Sequence, residues 1–353
     1  MSERFLLVRL GAVGDVIHTL PLAAALRDAF PSSYISWAVA PGPGLLLRDN
    51  PDLDKVFLVD TRAWRRAGFA GGLSMIGRDL RSLRSLRADV AIDSQGLIKS
   101  GFIAWASGAK VRVGFEQRHC REGLNAAFMT AWAEPPDGAR HVVEKNLSLL
   151  SPLGVQPPAA ESLRFPIPER AEEAGEADAY FRREGISGGR PLLVIHPGAG
   201  WETKRWEEGR FATLGDAWPK LTGGEVLLTW GPGEEEMIRR VAAAMSAPAK
   251  IAPPTDIRQM AALLRRADVF AGGDTGPLHL AAALGVACLA LMGSTEPARN
   301  GPWGRGHALL HHRLACSGCH MRTCPDIECL DRIGEDEAIQ ALGRLWEAHE
   351  KSR

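Results

Sequence analysis

The feature that most constrains this chain is a repeated local pattern. A short, mostly apolar run ends in a turn and is followed by helical periodicity. Phe5–Leu10, Tyr34–Ala40, Val56–Val59 and Ala88–Asp93 show it in the first half, and Pro191–His196, Glu225–Thr229, Val269–Gly272 and Cys288–Met292 in the second. Runs this short, without strict polar alternation, suit strands buried on both faces of a parallel sheet under crossover helices. Val13–Phe30 is expected as one such helix, ended by Pro31. Between the two sets lie Pro152, Pro157, Pro158, Pro166 and Pro168, a linker composition. A chain of 353 residues exceeds one ordinary domain and suits two. The reading is therefore α/β: two Rossmann-like, doubly wound domains, 1–168 and 169–353, facing a central cleft at the strand C-terminal ends. The last helix is one that can pack back on the first domain.

A hydrophobic share of 45% and a charged share of 24% are those of a soluble globular protein and exclude a disordered or fibrous chain. Zero formal net charge removes any global electrostatic case for nucleic acid as a partner. The charge is uneven, however. Arg62, Arg65, Arg66, Arg78, Arg81, Arg84 and Arg87 stand against Asp79 alone, a local patch suited to phosphates or an anionic membrane surface. No apolar run reaches the roughly 18 residues of a membrane span, and the start of the chain lacks a signal-peptide core and cleavage site. The expectation is a cytoplasmic protein with reduced cysteines.

The first strand runs into Gly11-Ala12-Val13-Gly14-Asp15. Its glycines allow a tight turn and close approach of a ligand, and the helix that follows offers unpaired N–H groups. The spacing is not that of a dinucleotide fingerprint, and no Lys-Ser or Lys-Thr follows as in a phosphate-binding P-loop. Asp15 suits two roles. It can cap the helix, or it can act as a general base on an attacking hydroxyl.

Three loops at strand ends carry the chemistry of the second half. His196-Pro197-Gly198-Ala199-Gly200-Trp201-Glu202-Thr203-Lys204-Arg205-Trp206 combines small residues with cations fit for a diphosphate. Thr229-Trp230-Gly231-Pro232-Gly233-Glu234-Glu235-Glu236 offers a carboxylate for ribose hydroxyls, although acids also favour a helix N-terminus without any ligand. In Gly272-Gly273-Asp274-Thr275-Gly276-Pro277-Leu278-His279, Asp274 or Thr275 would cap a helix whose start is an anion site. His279, one turn into that helix, can meet phosphate, but taken alone it packs more readily than it binds.

These loops, in this order after a G-x-x-G-D start, resemble family 9 glycosyltransferases, the lipopolysaccharide heptosyltransferases. The resemblance runs from Leu7-Val8-Arg9-Leu10-Gly11 to Trp303, and Asp274–Leu280 is its most specific segment. Asp93-Ser94-Gln95-Gly96-Leu97-Ile98-Lys99-Ser100 and Arg121-Glu122-Gly123-Leu124 look more like the pathway's first heptosyltransferase than its second. The resemblance implies a GT-B fold, an inverting mechanism, no required cofactor or catalytic metal, and ADP-L-glycero-D-manno-heptose as donor. It implies as acceptor the lipid A-linked Kdo/heptose core, met at the cytoplasmic face of the inner membrane by a peripherally bound enzyme. Asp15 matches the family's proposed base, and Lys204 the catalytic lysine near the donor phosphates. Glu234 matches the acid near the ribose. Asp274, Thr275, Gly276 and His279 match the donor-binding turn, and Gly14 and Gly200 are counted with the donor site. The resemblance makes the first domain the acceptor binder and the second the nucleotide-sugar binder.

Arg78, Arg81, Arg84 and Arg87 recur at helical spacing beside Leu80, Leu83 and Leu86, which otherwise reads as a solvated face over a packing face. Arg62, Arg65 and Arg66, in a loop beside Trp64, are the better acceptor contacts, with Lys99, Arg118 and Arg121 as further ones. Cys316, Cys319, Cys324 and Cys329 form a dense cluster that departs from the first heptosyltransferase pattern. A C-x2-C start can hold structural zinc, but the second such pair is missing, so reduced thiols rank ahead. Two other classes fit less well: a sugar-nucleotide epimerase of GT-B form, which needs no acceptor patch, and a non-catalytic nucleotide-sensing module.

Overall fold

The computed structural model describes residues 3–186 and 188–352. Two compact units, Met1–Pro168 and Glu169–Arg353, divide the chain. The first holds β1 (Arg4–Val8), β2 (Tyr34–Val39), β3 (Lys55–Leu58), β4 (Val90–Asp93), β5 (Val111–Phe115) and β6 (Ala131–Ala133). They pair in parallel in the order β3-β2-β1-β4-β5-β6. The second holds β7 (Leu192–His196), β8 (Glu225–Leu228), β9 (Ala249–Ile251), β10 (Val269–Gly273), β11 (Ala287–Leu291) and β12 (Ala308–Leu310). Its order, β12-β11-β10-β7-β8-β9, repeats that of the first. In each sheet the connections change direction at the central pair, so a crevice opens beyond the C-terminal ends of β1 and β4, and of β7 and β10. Val8 lies opposite Asp93 in the first sheet and Gly272 opposite His196 in the second.

The central strands are the apolar runs visible in the sequence, buried along nearly their whole length. The sequence reading passed over β5, β6, β9 and β12. These lie at or next to a sheet edge and are partly exposed, so they need no continuous apolar run.

Several expectations are corrected. Val13–Phe30 is two helices, Val13–Ile17 and Leu20–Ala29. Pro21 stands in the first turn of the second, where its missing N–H costs nothing, whereas in a continuous helix its ring would strike the carbonyl of Ile17. Arg62, Arg65 and Arg66 are not in a loop: Thr61–Arg66 is a helix capped by Asp60, whose side chain accepts from the N–H groups of Arg62 and Ala63. Arg87 falls beyond the end of helix Gly68–Ser85, at φ 49°, so the arginine row is shorter than its spacing implies. Leu83 and Leu86 are buried as the packing face. The final helix, Glu335–Ser352, packs within the second unit. Its stripe Ala338, Ala341, Leu342 and Leu345 joins a core with Phe211, Leu214 and Trp218, as a 3-4 apolar spacing dictates. The proline-rich segment is pinned rather than free: Asn50 Nδ2 donates to the Pro166 carbonyl (2.8 Å) and Arg164 pairs with Asp28 (2.7 Å). No helix among the described residues is long and apolar enough to cross a membrane.

Candidate active site

In the first unit the chain leaves β1 through Arg9. This side chain is buried, and its guanidinium donates to the Ser94 carbonyl beyond β4 and pairs with Asp15 Oδ1 at 2.7 Å. The N–H of Ala12 donates to Asp15 Oδ2 (3.0 Å). Asp15 is therefore not the helix cap: Ala12 holds that position, and Asp15, three residues in, reaches back to it. Both oxygens are fixed, yet each keeps a lone pair, and the side chain remains 28% exposed. Gly14 lies buried in the first turn of the same helix.

Beside this loop, Asp93 is fully enclosed at the end of β4. It accepts from the N–H groups of Gln95 and Gly96, from Ser100 Oγ and from Asn125 Nδ2. Burial still pushes its carboxyl above the ordinary range, despite those donors. The network fixes residues 94–99, and Gln95 Oε1 in turn accepts the Leu10 N–H (2.8 Å). The Arg121–Leu124 segment is bound to the same loop, since Glu122 N–H donates to the Gly96 carbonyl (2.9 Å) and Glu122 Oε2 accepts from Ile98 N–H (2.7 Å). Gly96 is required here: at φ 66° it also lets the Cys120–Arg121 backbone approach closely.

Lys99 is consequently placed among other cations. Partial burial lowers the pKa of its ammonium, and the charges of Arg65, Arg62 and Arg121 lower it further against the pull of Glu122. Those four cations thus share one neighbourhood. Arg66 instead lies 3.8 Å from Asp60, and Arg118 is paired with both Glu116 and Glu134.

In the second unit, Asp274 joins two of the three loops. Its Oδ2 accepts from Lys204 Nζ (2.7 Å) and its Oδ1 meets His279 Nε2 (2.9 Å). Burial opposes ionisation of Asp274, but His279 and Lys204 outweigh it and hold the carboxyl far below its usual range. Lys204 also lies 4.4 Å from the centre of the Trp201 ring. Gly273 is required by proximity, because a Cβ there would sit 2.5 Å from the Lys204 carbonyl. Thr275 occupies the N-cap position of helix Gly276–Ala283 without giving a side-chain cap. Its hydroxyl donates to the Gly273 carbonyl instead (3.3 Å), so Thr275 is the N-cap residue, one of the two the sequence offered, but without the side-chain bond to the helix N–H groups. Gly200 is exposed, with open space where a Cβ would go.

Glu234 joins the first loop to the second. Glu235 and Glu236 lie in the first turn of helix Glu235–Ala244, and Glu235 pairs with Arg239. Glu234 turns back, and its Oε2 accepts the Gly231 N–H (2.8 Å) and stands 3.8 Å from His196 Nε2. A Cβ on Gly198 would fall 1.9 Å from that oxygen. His196, buried and bonded through Nδ1 to Thr229 Oγ (3.1 Å), has its pKa pushed down to about 4 by burial, with Glu234 opposing.

A family model, glycosyltransferase family 9 (heptosyltransferase), matches residues 76–329. The chain belongs to that family. It is 32% identical over 326 residues to lipopolysaccharide heptosyltransferase 1 of Pseudomonas aeruginosa, covering 91% of this chain and 87% of that one. The fold is that of the solved family 9 glycosyltransferase from Veillonella parvula, with a TM-score of 0.85, 24% identity and 98% of each chain covered. It is also that of Escherichia coli heptosyltransferase WaaC with ADP, with a TM-score of 0.79, 23% identity, and 97% and 99% covered. The protein is thus a family 9 glycosyltransferase of GT-B type.

Within this heptosyltransferase framework, the sequence reading missed Arg9, the Asp93–Asn125 network and the role of Gly198. Arg9 was legible only as a charge ending an apolar strand, and a buried cation at such a place calls for a partner. The cysteines are free thiols: Cys316 and Cys319 are exposed, Cys324 and Cys329 half-buried. Burial raises the Cys329 pKa, and Cys316 and Cys319 add to it. Among the described residues, three metal-ligand atoms converge only at Glu116, His119 and Glu134, whose two carboxylates already hold Arg118.

Proposed function

We propose that this family 9 enzyme transfers L-glycero-D-manno-heptose from ADP-heptose to the Kdo/heptose inner core of lipopolysaccharide, by one inverting displacement with Asp15 as general base. The observation that carries the reading is the Lys204–Asp274–His279 turn. A cation is held there beside an uncapped helix start, at the crevice of a parallel sheet, which is an arrangement that receives phosphate. The Pseudomonas aeruginosa relative is a lipopolysaccharide heptosyltransferase by name, and solved WaaC structures hold ADP and ADP-2-deoxy-2-fluoro heptose. Both support the donor.

In the reaction the acceptor hydroxyl gives its proton to Asp15, and its oxygen bonds to the anomeric carbon. The bond from that carbon to the β-phosphate oxygen breaks, and its electron pair leaves with ADP. Lys204 and the N–H groups of Gly276 and Leu278 meet the charge that develops, while Pro277 between them has none to offer. Glu234 accepts the ribose hydroxyls, and Thr275, His279, Gly200 and Gly14 complete the donor's surroundings. No metal takes part, so transfer persists in EDTA; activity that vanishes there and returns with magnesium contradicts this.

The first unit receives the acceptor. Lys99, Arg62, Arg65 and Arg121, whose charges bear on one another, suit its phosphates and carboxylates. Arg66 and Arg118 join them only by giving up carboxylate partners. Ile98 and Leu124, 41% and 68% exposed, flank these cations, which supports peripheral docking on the anionic cytoplasmic face of the inner membrane. The test is release of ADP from ADP-heptose. The reading requires release to depend on a Kdo-bearing acceptor. Conversion of the donor without any acceptor indicates an epimerase, and binding without consumption indicates a sensor.

A further inference from the structure

Residues 311–327 form no helix or strand, yet their middle is tied to the donor end of the second sheet. Thr203 Oγ donates to the Met321 carbonyl (2.6 Å) and meets Ser294 Oγ (2.9 Å), while His320 N–H donates to the Ser294 carbonyl (3.0 Å). Thr203 immediately precedes Lys204, and a Cβ on Gly293 would strike the Thr203 carbonyl at 2.4 Å. The attachment is therefore close and built around that one residue. Its consequence concerns Arg322, the residue after the tie. The Arg322 guanidinium stands 5.3 Å from the centre of the Trp201 ring, the same ring that Lys204 approaches at 4.4 Å.

Arg322 forms no ion pair among the described residues. Asp274, the carboxylate on Lys204, is already shared between Lys204 and His279. Two cations thus lean on one indole, and the carboxylate that pairs with Lys204 is itself shared with His279. An aromatic face offsets only a small part of such a charge excess, whereas a polyanion arriving beside Lys204 would offset it fully. A guanidinium also presents a planar fork of donors that fits phosphate oxygens two at a time, which the Lys204 ammonium cannot do.

We propose that Arg322 is a second diphosphate-binding residue, which closes with Lys204 on the nucleotide-sugar and on the departing ADP. The proposal rests on the reading that places the donor diphosphate at the Lys204–Asp274 turn. It assigns the loop a function: the Thr203–Met321 tie delivers a cation to the leaving group.

The experiment compares wild type with Arg322→Ala, Arg322→Lys and Lys204→Ala, under reducing conditions, by calorimetric titration with ADP and competition with adenosine. Arg322→Ala should weaken ADP about tenfold or more, the worth of one charge-assisted bond, and leave adenosine unchanged. Arg322→Lys should recover part of the loss. Wild-type ADP affinity in Arg322→Ala overturns the proposal. So does an equal loss for adenosine, which means the loop merely shapes the site, and so does an effect confined to the acceptor KM. If Lys204→Ala also leaves ADP affinity intact, the donor-site reading itself fails. If Lys204→Ala weakens ADP and Arg322→Ala does not, only the Arg322 assignment falls.

Discussion

Replacing Gly198 with alanine separates a ribose-binding role for Glu234 from a packing role. The added Cβ would lie 1.9 Å from Glu234 Oε2 and 2.4 Å from Oε1, so the carboxylate has to swing away. The displaced atoms end a flexible side chain, and the fold loses mainly the Gly231 N–H···Oε2 bond. Gly231 is half-buried and its N–H can hydrate, which limits the stability cost to about 1–2 kcal/mol. ADP binding loses more if the carboxylate holds ribose hydroxyls. A charged hydrogen bond of about 1.5–3 kcal/mol corresponds to a roughly 10- to 150-fold rise in Kd. The assay is the Kd for ADP and the unfolding free energy of wild type, Gly198→Ala, Glu234→Gln and the double variant. Both single variants should weaken ADP by similar factors, and the double should add little, because each removes the same group. Wild-type ADP affinity in Gly198→Ala, or fully additive losses in the double variant, refutes the reasoning.

Asp15→Asn should lower transfer about 100-fold or more while ADP affinity stays at the wild-type value; near-normal turnover would leave Asp15 as only a brace for Ala12 and Arg9. Replacing Arg62, Arg65 and Arg66 together with alanine should raise the acceptor KM well over tenfold and spare the KM for ADP-heptose. Equal acceptor KM values would reduce the patch to a solvated face. His196 ties stability to pH: its pKa is held to about 4 in the fold and returns to about 6.5 on unfolding. The unfolded chain therefore takes up the proton first, and stability falls as pH drops from about 7 to 4, by up to about 3 kcal/mol. Chemical denaturation across that range should show a shallower decline for His196→Asn, and identical pH slopes would count against the assignment.

The parts of the fold visible in the sequence are those that burial dictates. Runs such as Phe5–Val8 and Leu192–Ile195 are enclosed on both faces and so must be apolar throughout. Trp132 and Lys250, on β6 and β9, face conditions that many residues satisfy, and those strands left no such trace. Helix boundaries depended on single residues: Pro21 splits a helix that its flanking apolar spacing had joined. At the site, Lys204 and Asp274 stand in loops that follow apolar runs, and the family resemblance joined them with His279 in one donor site. The sequence could not place Arg9 against Asp15 or Glu234 against Gly198. The first depends on the path of the loop that follows β1 and the second on a side chain reaching across from one loop to another, and neither leaves a periodic mark. Arg66 and Arg118 show that local charge density says nothing of carboxylates such as Asp60 and Glu134 brought alongside by folding.

The central claim is heptosyl transfer with inversion. The most direct measurement incubates the purified protein with ADP-heptose and a lipid A-linked Kdo acceptor, then determines the product's mass and the configuration of its new linkage by NMR. The account predicts a product heavier by one heptose, with anomeric configuration opposite to that of the donor. Retained configuration, or an acceptor whose mass never changes while ADP-heptose is bound, would contradict it.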